Sequence, residues 1–261
     1  MLKTERMDRV RAALRAQGLT QMIVCDPKSV WYLTGVAVEP YERLLALYLP
    51  TEGEPVLFLN RLFNVPEPPC RTVWHTDTDK PVAQIAEVVD AGRPLGIDKE
   101  WPAKFLIPLM ETHPGMQVVL SSDCVDDCRA CKDAEEQALM REASRINDAV
   151  NEAAKHYIKA GMTEREVAEF IDAQFRAHGC EGPSFTTIVS FGANAADPHH
   201  EPDDTVLKEG DCVLFDMGCV KSRYCSDMTR TWFCGQPTEK QAAVHDLVRR
   251  ANEAAAVSYT H

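Results

Sequence analysis

The texture of the chain changes once, near residue 130, and that change limits what it can fold into. Before it, short apolar runs alternate with amphipathic stretches. Residues 22–25, 44–49 and 56–59 read as strands, and Pro50-Thr-Glu-Gly53 between the last two predicts a hairpin or adjacent strands. Helices are expected over 3–17, 81–89 and 102–110, the last two opening with Pro in the first turn. Short buried strands are expected at 95–98 and 118–120. Such alternation builds an α/β layered domain.

After the change, residues 132–160 are rich in Ala, Glu, Lys and Arg. Leu139, Ala143, Ile146 and Val150 form one stripe, predicting a long amphipathic helix that Gly161 ends. Thr163-Glu-Arg-Glu166 has the spacing of a capping box for a second helix reaching His178. Strand-like segments follow at 185–190 and 213–233, and a last helix is expected from about Thr238 to Ala255. The expected division is an α/β domain over 1–130 and an α+β domain over 131–261.

Charge narrows the partners. The chain has 28 Lys and Arg against 40 Asp and Glu, a net charge of −12, which argues against nucleic acid and anionic membranes as partners. No stretch approaches the roughly 18–20 apolar residues of a membrane span. The first ten residues are charged with both signs, unlike a signal peptide, so a cytoplasmic location is expected. In a reducing compartment the 10 cysteines are expected as free thiols. Cys124, Cys128 and Cys131 are spaced like part of a metal site, but no second pair or nearby His completes it.

Chemistry concentrates in residues 211–231. If Lys221-Ser222 forms a hairpin loop, Asp216 stands directly opposite Asp227, with Cβ atoms about 4.5–5.5 Å apart on one face. At that separation two carboxylates repel by roughly 3–4 kcal/mol at an effective dielectric near 20. A shared proton, a cationic neighbour or a divalent metal would relieve this. In a different register both carboxylates are solvated, with Asp227 beside Arg223 or Arg230.

Asp216-x-Gly218 followed by Tyr224-x-Ser226-Asp227-x-Thr229-Arg230-Thr231 resembles the first metal-ligand motif of the pita-bread metallopeptidases, which include proline-specific aminopeptidases, prolidases and creatinase. Gly192-Ala-Asn194-Ala-Ala-Asp-Pro198-His199-His200 is similar to the segment that places their substrate-binding His. Arg129-Ala-Cys-Lys132-Asp-Ala-Glu135-Glu136 resembles the start of their catalytic domain. Trp31-Tyr32-Leu33-Thr34-Gly35 resembles their amino-terminal domain.

The resemblance implies a creatinase-like α/β domain followed by a pita-bread domain, and a cytoplasmic homodimer. It implies a metal-dependent exopeptidase that cuts between an amino-terminal residue and proline, its substrate a peptide with proline at the second position. Two divalent ions (Mn, Co, Fe or Zn) would activate water. Asp216 would chelate one and Asp227 would bridge both. Thr229 would orient a carboxylate from behind, and His199 would be the catalytic and substrate-binding donor. His200, one position on, would point away as a structural or rim residue.

The pattern calls for three further ligands, one His and two Glu, beyond Asp227. Glu239, His245 and Glu253 match no ligand motif and read as solvated helix residues. The resemblance thus implies an incomplete catalytic domain that is inactive alone. Two alternatives stand beside it: a creatinase-like hydrolase that cleaves C–N bonds without metal, and a non-catalytic peptide- or protein-binding module.

Overall fold

The computed structural model describes residues 2–260. They form two compact units that divide between Lys132 and Asp133. In the first unit, α1 (Thr4–Ala16), β1 (Gln21–Val24), α2 (Pro27–Thr34), β2 (Ala46–Pro50), β3 (Val56–Asn60), β4 (Arg71–His75), α3 (Pro81–Ala86), β5 (Leu95–Ile97), α4 (Ala103–Thr112), β6 (Val118–Leu120) and α5 (Asp123–Ala130) follow in that order. The strands make one mixed sheet in the order β4-β3-β2-β1-β5-β6. β2 pairs antiparallel with both β1 and β3, as the turn at residues 50–53 requires of the second pair.

Because strand side chains alternate between faces, these apolar runs feed two cores. Met22, Val24, Leu47, Leu49, Leu57 and Leu59 face one way, against α1, α2 and α5. Ile23, Ala46, Val56 and Phe58 face the other way, against Ile85 of α3 and Leu109 of α4. The result is three layers, with the sheet buried on both sides. Sequence periodicity missed α2, β4 and α5. α2 spans two turns and buries residues on nearly every side, so no polar face marks it; its start is fixed by Asp26, whose carboxylate accepts from the Lys28 and Ser29 amides.

The second unit runs α6 (Ala134–Tyr157), α7 (Glu164–Ala177), β7 (Gly182–Pro183), β8 (Ile188–Phe191), β9 (Cys212–Met217), β10 (Cys219–Lys221), β11 (Tyr224–Cys225), β12 (Met228–Phe233) and α8 (Glu239–Thr260). α6 and α7 each open with a closed capping box, Asp133 with Glu136 and Thr163 with Glu166. The strands form two three-stranded sheets, β12-β9-β8 and β11-β10-β7.

Val213, Phe215 and Met217 of β9 pack with Val189 and Phe191 of β8, and with Ala143, Val150, Val167, Ile171 and Phe175 of α6 and α7. The alternate residues Cys212, Leu214 and Asp216 therefore face outward. On that side α8 borders a cavity of about 900 Å³, lined by Leu214, Thr231 and Phe233 from the sheet and by Val244 and Val248 from the helix. Among the described residues, no helix is long and apolar enough to cross a membrane.

Candidate functional site

The hairpin carrying the two aspartates turns one residue later than the spacing suggests. Its loop is Ser222-Arg223, both with left-handed φ of 49° and 68°, and Lys221 pairs with Tyr224. Two consecutive left-handed residues suit the twist of a two-residue hairpin. This corrects the expected pairing: Asp216 stands opposite Thr229, and Met217 opposite Met228. Carried through the intervening gap, the same register sets Asp227 against Gly218.

Asp216 and Asp227 are thus diagonal neighbours. A shift of two residues along a strand keeps the same face, and diagonal neighbours, with Cβ atoms somewhat under about 7–8 Å apart, repel less than directly opposed carboxylates. Gly218 makes this crossing possible. A Cβ there would lie 2.0 Å from the Ser226 carbonyl oxygen and 2.3 Å from Ser184 Oγ, which itself donates to Ser226 O at 2.8 Å.

The two carboxylates differ in environment. Asp227 is exposed and shares a cleft of about 440 Å³ with Thr229, Asn147 and Asp148. Asp216 is half-buried, and its Oδ1 is fully buried with no hydrogen-bond partner among the described residues. Ser190 Oγ is likewise buried and unpartnered. Ser190 pairs with Leu214, so it shares the outward face of Asp216. A buried acceptor without a donor costs about 1–3 kcal/mol, and a bound cation would remove that cost. Hard carboxylate oxygens suit a divalent ion, so the donor set fits the expected metal.

The expected donor His199 lies on the segment after β8. A 3-10 turn over Gly192–Ala196 leads into it, and the His199 side chain is exposed. Its backbone amide donates to Asp197 Oδ1 at 2.9 Å. His200 turns inward, and its Nε2 meets Glu164 Oε2 at 2.6 Å.

Glu164 is 0% exposed. Its Oε1 accepts from the Phe191 amide at 2.7 Å and from Asn194 Nδ2 at 3.0 Å, while Oε2 also accepts from the Asp203 amide at 3.2 Å. Ligand atoms of Glu164, His200 and Asp203 lie within 4.8 Å of one another, a partial ligand group in its own right. The Thr205 hydroxyl and amide hold the Asp203 carboxyl below the usual carboxylate range. Sequence reading missed Glu164, because its partners come from a segment about 30 residues or more further along the chain and local spacing carries no trace of them.

Three of the thiols are held in their neutral form. Burial pushes the Cys180 thiol up to about 12, and those of Cys70 and Cys124 up to about 11. All three are neutral thiols, not nucleophiles. Cys124 and Cys128 fall one turn apart on α5, and both are free.

Comparison with known proteins decides the family. Residues 138–259 match the model of metallopeptidase family M24, and residues 6–131 match the creatinase/prolidase N-terminal domain. An uncharacterized peptidase of Staphylococcus aureus is 33% identical over 243 residues, covering 89% of this chain and 67% of the relative. The chain belongs to metallopeptidase family M24.

Solved M24 structures agree. A prolidase from Thermococcus sibiricus superposes with a TM-score of 0.88 at 30% identity, covering 98% of this chain and 72% of that one. Dipeptidase PepE from Mycobacterium ulcerans gives a TM-score of 0.88 at 30% identity, covering 97% and 70%. The fold is therefore a creatinase-type α/β unit followed by a pita-bread unit, and this M24 chain spans about 70% of the length of those structures.

Proposed function

We propose that this M24 chain carries part of the active centre of a metal-dependent Xaa-Pro peptidase, and that alone it is inactive. The observation that carries the metal reading is the buried, unpartnered Asp216 Oδ1 on the outward face of β9. Asp216 and Asp227 would hold the divalent ions, Mn, Co, Fe or Zn. Bound there, such ions would supply the Lewis acidity that activates water for attack on the peptide bond.

The chain's own residues do the rest. Thr229, directly across from Asp216, would orient a carboxylate once the ions are bound. His199 donates to the substrate carbonyl, where a preorganised donor stabilises developing negative charge. The preference for proline at the second position is supported by the prolidase among its relatives. A cytoplasmic homodimer completes the proposal.

Inactivity follows from the ligand count. Two carboxylates without a His and two Glu hold metal too loosely to acidify water. With manganese or cobalt added, the isolated chain is expected to release no proline from Ala-Pro above a no-protein blank. Fused to the carboxy-terminal segment of the Thermococcus prolidase, it is expected to hydrolyse Ala-Pro and to spare Ala-Ala. Turnover by the isolated chain, or equal cleavage of Ala-Ala by the fusion, would refute the proposal.

A further inference from the structure

We infer that Glu164 and His200 form a positioning latch that holds His199 in place for substrate. The inference rests on the reading of His199 as the substrate donor. Residues 192–204 connect β8 to the segment leading into β9, with His199 at their exposed tip. Such a segment would ordinarily sample many conformations, because each backbone residue left free retains about 1–2 kcal/mol of conformational entropy.

One buried carboxylate prevents this by gathering four donors spread along the segment. They are the Phe191 amide at its start, Asn194 Nδ2 in the 3-10 turn, His200 Nε2 beside the tip, and the Asp203 amide at its end. Position explains why Glu164 can do this. As the first residue of α7, next to the Thr163 cap, it sits where the amides of a helix start favour negative charge. Its neighbours also tie down the far end of the segment. The Glu164 amide donates to Thr205 O at 3.2 Å, and the Arg165 amide to Asp203 O at 3.1 Å.

His199 lies in a turn closed by the His200 amide on Asp197 O at 3.3 Å and by its own amide on Asp197 Oδ1 at 2.9 Å. Anchoring His200 on Glu164 therefore anchors the turn that presents the exposed His199. Both Glu164 oxygens are occupied by these donors, so the cluster works as a hydrogen-bond hub rather than an open cation site.

Hydrogen exchange on the full 261-residue chain, followed by mass spectrometry, tests the latch. His200→Ala and Glu164→Gln are each expected to speed exchange over residues 192–204 by at least about tenfold, leaving α6 and β9 unchanged. His200→Gln keeps a side-chain donor for Glu164 and is expected to restore most of the protection. In spectra of ¹³C-labelled histidine, the His199 ring signal is expected to sharpen toward that of a free side chain in His200→Ala and to return in His200→Gln.

Three results would overturn the latch: unchanged exchange in His200→Ala, a loss of protection spread through α6 and β9, or protection of the segment that depends on added zinc. None of these readouts needs turnover. Turnover by the isolated chain, or no Ala-Pro hydrolysis by the fusion, would sink the functional proposal while leaving the anchoring of the segment by Glu164 standing, and unchanged exchange would do the reverse.

Discussion

Phe215→Ala is expected to cost the second unit about 3–5 kcal/mol, measured as the drop in unfolding free energy from urea melts. Phe215 is 0% exposed at the centre of β9. Its ring meets Trp232 edge-on at 4.6 Å, an arrangement worth about 0.5–1.5 kcal/mol beyond area burial. Truncation removes that contact and leaves a cavity between the sheet and the two long helices. A domain of this size holds about 5–15 kcal/mol in total, so a substantial share of its margin would go. Leu214→Ala, one residue away on the outward face and only half-buried, is expected to cost under about 2 kcal/mol. Equal losses at the two positions would contradict the assignment of faces on β9, and with it the placement of Asp216.

The next residue along should respond with the opposite sign. Asp216→Val is expected to stabilise the chain by about 1–2 kcal/mol in chelator-treated buffer. The native carboxylate keeps one oxygen buried without a donor, and valine removes that cost while suiting a strand better. A residue that weakens its own fold needs another reason to be there, and cation binding is that reason in this account. Natural proteins commonly carry such stability costs at functional positions. Destabilisation by Asp216→Val would mean that the carboxylate is already satisfied by the protein.

How much of this was legible in the sequence follows from how local each determinant is. The layered first unit and the long helices of the second could be read from periodicity, since 22–25, 44–49 and 56–59 are apolar enough to be buried on both faces. The Thr163–Glu166 box was legible because its two partners lie within one turn. The hairpin was found, but its register was misread by one turn residue. Nothing in Lys-Ser-Arg-Tyr shows that Ser222 and Arg223, rather than Lys221 and Ser222, occupy the turn, as no Gly or Asn marks the left-handed positions. That single step moved Asp216 from Asp227 to Thr229. The Glu164 hub was illegible for a deeper reason. Its partners at 191, 194, 200 and 203 are joined to it only by tertiary folding, and a glutamate at a helix start looks the same whether it is solvated or fully buried.

We propose that Asp216 and Asp227 together grip a divalent cation. Manganese titration followed by electron paramagnetic resonance, on wild type, Asp216→Asn, Asp227→Asn and the double variant, tests it most directly. Weak, saturable uptake is expected for the wild type, reduced in each single variant and gone in the double. Uptake by the double variant equal to that of the wild type, or no saturable uptake by any of the four, would contradict it.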